Sequence, residues 1–154
     1  MLARLRSLAV LELVNIPLFA LVLFGGLLMP ISPANLVGFS LFALLLAQGS
    51  AYWWLKIRQL RTRAPRPAGM PVFRVLQRGN VALFLLGGAV ILWALTTDAR
   101  WTQAWPGLGL WLFAVLEHVN YFHIQLSHQN RPDLERLWRT RRLHRSHLSR
   151  DMAR

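Results

Sequence analysis

Two short strings in this 154-residue chain place the same pair of polar residues inside apolar surroundings. Residues 9–15 read AVLELVN, and residues 114–120 read AVLEHVN. In each copy Glu and Asn stand three apart, so on a helix they share one face. Glu12 with Asn15, and Glu117 with Asn120, have the chemistry to hold a proton, accept a cation or bond to a neighbouring helix. An ionisable side chain inside an apolar span is expensive and by default marks a functional position.

The second string runs on into a richer polar stretch. His118, Tyr121, His123 and His128 follow Glu117 and Asn120 within a few turns, and Gln48 adds an amide in another apolar segment. A path Glu117–Asn120–His128 has groups that could carry a proton or present a general base. Metal binding is not indicated. His118, His123 and His128 are spaced by five and point three ways, whereas a metal pair needs one helix face. His144 and His147 have a closer spacing but stand among arginines that oppose a cation. The sequence contains no HExxH, no GxSxG and no phosphate loop. A lipid-modifying enzyme with Glu117 or His123 as base is permitted by residue type but not demanded by spacing. The sequence therefore assigns no catalytic residue, no metal ligand and no cofactor. With no cysteine, disulfides, thiol catalysis, covalent c-type haem and palmitoylation are excluded.

The elements that position these residues follow from composition. The chain is 55% hydrophobic yet carries a formal net charge of +12, and the two properties are segregated along it. Apolar segments at about 7–29, 36–55, 81–97 and 106–126 approach the ~20 residues that cross a bilayer as a helix. The first is too long for a signal-peptide core and reads as an uncleaved span. Arg4 and Arg6 precede the first segment, and Lys56, Arg58, Arg61, Arg63, Arg66, Arg74 and Arg78 fill the connection at 56–80. More arginines crowd the tail, while the connections at 30–35 and 98–105 carry almost no charge. By the positive-inside rule, both termini and the middle loop are cytoplasmic. Tyr52, Trp53 and Trp54 at one end, and Trp101 and Trp105 at the other, suit the two aromatic belts.

The expectation is an all-α integral membrane protein of a bacterial-type inner membrane, multi-pass, N-in and C-in. Residues 1–128 form a four-helix transmembrane domain, and residues 129–154 form a basic cytoplasmic tail. Pro65, Pro67, Gly69 and Pro71 break any helix in the middle loop, leaving a connector that lies against anionic headgroups, with 71–77 a short interfacial turn. In the tail, Leu134, Leu137, Trp138 and Leu148 fall on one side, predicting a basic amphipathic helix. Arg136, Arg139, Arg141, Arg142 and Arg145 are its candidate contacts to lipid headgroups or a partner. No nucleic-acid motif accompanies these arginines.

This topology makes the first and fourth segments antiparallel. At 1.5 Å per residue, Glu12 lies about 8 Å inside the inner boundary and Asn15 about 12 Å; Glu117 lies about 13 Å and Asn120 about 9 Å deep. Glu12 then stands level with Asn120, Asn15 with Glu117, and Phe19 with Phe113, so the two strings can form a reciprocal Glu–Asn clasp. Pro17 should kink the first helix by freeing the Leu13 carbonyl. The functional expectation is a non-enzymatic membrane protein working as a homo-oligomer or as a subunit of a larger assembly, with a cytoplasm-facing intramembrane polar cluster. The alternatives are a component of an ion, proton or small-solute pathway gated at that cluster, and a small membrane-embedded enzyme acting on a lipid or using a metal.

Overall fold

The computed structural model describes residues 2–97, 100–124 and 145–153 of the chain. These residues are all-α, with no strand among them; the one extended pairing is an isolated antiparallel bridge between Ile124 and Arg145. The helices are α1 (Leu2–Ala20), α2 (Pro33–Thr62), α3 (Met70–Thr97), α4 (Trp105–Phe122) and α5 (His147–Ala153). Three stretches are long and apolar enough to cross a membrane: Leu2–Gly26, Pro33–Thr62 and Met70–Thr97. The 18-residue α4 is not among them, because Glu117, His118 and Asn120 dilute its apolar letters.

Local chemistry explains the helix limits. Pro17 lies inside α1, which widens one turn later into a π-helical turn at Leu21–Gly26, where Leu27 N donates to Val22 O at 2.8 Å. Ser32 starts α2 by accepting from Asn35 N at 3.2 Å, with Pro33 in the first turn, where its missing N–H costs nothing. Arg63 ends α2 in the left-handed region at φ 53°, and Gly69 at φ 79° turns the chain into α3.

The two largest departures from the expected boundaries are both on the basic side. α2 continues to Thr62 rather than stopping near 55, and α3 begins at Met70 rather than near 81. The connection shrinks to 63–69, and residues 71–77 form the opening of α3 instead of an interfacial turn. Arginine is a good helix former whose long stem reaches water from a helix surface, so a run of charge there does not end the helix. Pro71 is tolerated because it occupies the first turn of α3.

The fold is organised around α2, which packs against α1, α3 and α4. The main core gathers Leu41, Phe42, Leu45 and Tyr52 of α2 with Phe73 and Phe84 of α3, Ala114 and Phe122 of α4, and Leu148 and Met152 of α5. Glycines set the close approaches. A Cβ on Gly38 would overlap the backbone of Gly107, and one on Gly107 would overlap that of Ala34, so α2 and α4 cross backbone to backbone. Gly87 makes room for Leu41, and Gly88 for the Trp111 ring, whose Nε1 donates to Phe84 O at 3.0 Å. α1 leans on α2 along one edge: Ala9 is buried, Ser50 Oγ donates to Ala9 O at 2.8 Å, and Phe19 meets Phe42 edge-on at 5.2 Å. Phe42 in turn meets Phe113 at 5.5 Å, so Phe19 and Phe113 share a level with an α2 ring between them.

Candidate functional site

The polar residues inside the bundle form three groups. The first is built on Gly49 of α2. Without a side chain there, Glu12 of α1 and Tyr121 of α4 reach the same point on the α2 surface; a Cβ would overlap Glu12 Oε2 and lie 2.6 Å from the Tyr121 hydroxyl. Glu12 Oε1 accepts from Trp53 Nε1 at 3.1 Å. Glu12 Oε2 is shut away from solvent, with the Tyr121 hydroxyl standing beside it. Asn120 donates to Glu117 Oε2 of its own helix at 3.3 Å, and both are half-buried, as is Asn15. The reciprocal Glu–Asn clasp is thus not the arrangement found: α2 stands between the two strings, and Trp53 supplies the donor expected from Asn120.

The second group joins α2, α3 and α4. Gln48 and Asn80 exchange both amide bonds, Gln48 Nε2 to Asn80 Oδ1 at 3.0 Å and Asn80 Nδ2 to Gln48 Oε1 at 2.8 Å. Asn80 Nδ2 also faces His118 Nδ1 at 3.5 Å. The His118 ring is 5% exposed and sits against Phe84, Phe122 and His123, with its Nε2 buried and unpartnered. His123 is exposed, and its Nε2 lies 3.4 Å from Gln77 Nε2. A satisfied amide pair therefore holds one side of a buried imidazole, whose far nitrogen is left open.

The third group closes the end of the bundle where α2 meets α5. Asp151 is 4% exposed; it accepts from the Tyr52 hydroxyl at 2.8 Å and from Lys56 Nζ at 2.7 Å. This is the single ion pair among the described residues, and Lys56 is the only lysine in the chain. Arg74 donates to Met152 O, Ser146 Oγ to Tyr121 O, and Ser146 N to His123 O at 3.1 Å. The His147 ring stands 6.1 Å from Trp53. Residues 145–153 are therefore a strap that touches Trp53 and Tyr121, the two residues that flank the Glu12 carboxylate.

No family model, curated protein or solved structure matches this chain.

The structure brings Glu12 together with Tyr121, and Gln48 together with His118, while Glu117 and Asn120 pair on the α4 surface. His128 and the arginines Arg136, Arg139, Arg141 and Arg142 lie outside the described residues; Arg145 is exposed at the start of the strap. No group of three or more His, Cys, Asp or Glu that could hold a metal occurs among the described residues. Several contributing residues were not singled out from the sequence. Asn80 sits one residue before the apolar run expected to be the third span, so its polarity read as loop. Gly49 and Asp151 are ordinary letters, and Trp53 is only a belt residue, until the fold sets them beside Glu12, Lys56 and Tyr52. Asn35 holds the opposite end: fully buried, it donates to Pro30 O at 2.9 Å and Thr102 O at 3.0 Å and accepts from Gly107 N at 2.8 Å. Its signal was the capping pattern Ser32-Pro33-Ala34-Asn35 at the start of a helix.

Proposed function

We propose that this chain is a four-span protein of a bacterial-type inner membrane, with both termini cytoplasmic, that works as an oligomer or as the membrane subunit of a larger assembly. The charge pattern supports the orientation, since Arg4, Arg6, the 63–69 connection and the described residues 145–153 are basic at one end of the bundle. The fourth span rests on α4, which runs beside α2 from the Gly38–Gly107 crossing to the Gly49–Tyr121 contact.

The observation that carries the assembly reading is the isolation of α1. Its most apolar stretch is 6% buried, against 56% for α2. Val10, Val14, Leu18, Leu21 and Val22 face outward from its single edge of contact, forming a face wide enough for a neighbouring helix. Most of the interior amides and hydroxyls bond between elements, as structural fasteners do. Cross-linking in native membranes tests this directly. Cysteine at Val14 or Leu18, introduced into a chain that has none, should give a cross-linked product with a second copy or another membrane protein. A chain that stays at its own mass with both cysteines counts against it.

A second reading is favoured by one observation. His118 Nε2 is buried without a partner, and the Glu12 carboxylate is held inside the bundle between Trp53 and Tyr121, as expected of groups that exchange a proton or cation. On this reading the chain is part of an ion, proton or small-solute pathway gated at the cytoplasmic cluster. Flux in liposomes that Glu12→Gln abolishes would support it. Wild-type flux in Glu12→Gln and Glu117→Gln variants would reject it.

A further inference from the structure

The end of α2 and the start of α3 enclose a cavity of about 390 Å³ that none of the three polar groups uses. Its walls differ in chemistry. Leu55, Met70 and Pro71 bring apolar side chains to its lining, Arg58 and Arg66 bring cationic ones, and Gln59 brings an amide. Neither arginine has an acidic partner among the described residues, and the sequence holds no Asp or Glu between Glu12 and Asp98. The two arginines therefore line a concave site that has no counter-charge among the described residues. Gln59 is fixed by its Nε2, which donates to Ala64 O at 3.1 Å, while its Oε1 is buried without a donor. A group filling this cavity would need an anion for the arginines and an apolar flank for Leu55 and Met70.

We propose that this cavity seats the headgroup of an anionic glycerophospholipid. The phosphodiester pairs with Arg58 and Arg66, whose planar forks match phosphate oxygens. The first carbons of the acyl chains run past Leu55 and Met70. An ammonium headgroup fits less well, because it would stand beside two guanidiniums. The site rests on the reading that the 63–69 connection lies at the membrane surface, where such lipids are found.

The test uses the full chain, purified and placed in nanodiscs holding equal phosphatidylglycerol and phosphatidylcholine. Lipid that remains bound is identified by native mass spectrometry. The wild type should retain one phosphatidylglycerol per chain after phosphatidylcholine is stripped. The R58Q/R66Q variant should lose at least about tenfold of that preference. The R61Q/R63Q variant removes the same charge from residues that do not line the cavity, and should keep the preference within about twofold. Equal loss in both variants would mean diffuse attraction and would overturn the site, as would full retention in R58Q/R66Q. Displacement by millimolar inorganic phosphate or glycerol 3-phosphate would assign the site to a soluble phosphate and overturn the lipid. If R58Q/R66Q does not fold, R58K/R66K keeps the charge but loses the fork, and should still show several-fold loss. Nanodiscs expose both leaflets, so a wrong orientation leaves this result intact and is seen separately, as a 63–69 cysteine labelled from outside.

Discussion

Asp151 is the residue whose removal should open the strap. It receives two hydrogen bonds in a nearly closed environment, from Tyr52 at 2.8 Å and from Lys56 at 2.7 Å. Losing one partner of a fully buried ion pair costs about 3–5 kcal/mol. Here the Lys56 side chain is 18% exposed, so its ammonium regains some water in an Asp151→Ala variant. Two charge-assisted bonds discounted for that recovery give about 2–3 kcal/mol, or roughly 30–150-fold in the opening equilibrium of the strap. Leu148 reports the opening, because it lies beside Asp151 on α5 and is 2% exposed. A cysteine at Leu148, in a chain otherwise free of them, reacts with a water-soluble maleimide only when the strap is off. Asp151→Ala should raise its labelling rate by that factor, and Tyr52→Phe, which removes one bond, by about fivefold. Labelling within twofold of the parent for Asp151→Ala would refute the view that this pair holds residues 145–153 on the bundle.

Two further variants test the interior. Gly49→Ala drives a methyl into the Glu12 carboxylate and the Tyr121 ring, so thermal unfolding in detergent should show a loss of about 1–3 kcal/mol, partly restored by adding Glu12→Ala. Gln48→Leu and Asn80→Leu each strand a buried amide, at about 1–3 kcal/mol apiece, whereas the double variant should cost less than the sum; strict additivity in the same melts would deny the amide pair.

The sequence showed the all-α class and the separation of grease from charge, because both are local and periodic. Helix ends on the basic side were less legible. Arg58, Arg61, Arg74 and Arg78 read as loop, yet each lies on a helix, since arginine satisfies helix propensity and hydration together. That error hid Asn80, the partner of Gln48. The matched strings AVLELVN and AVLEHVN drew attention to Glu12 and to the His118 helix. Matching letters, however, carry no information about what stands between two helices. Gly49 and Trp53 of α2 decide how the strings meet, and only packing reveals that. The strap was the least legible part. Leu148 fitted an amphipathic pattern, but the contact of Asp151 with Lys56 joins residues 95 apart, and nothing local signals it.

The central claim, a membrane protein that works within an assembly, is tested most directly by the mass of the complex. The chain alone weighs 17.7 kDa. Native mass spectrometry of the protein extracted from its own membrane in a polymer nanodisc should give an integral multiple of that mass, or that mass plus a stoichiometric partner. A lone 17.7 kDa chain, stable and without a copurifying protein, would contradict the account.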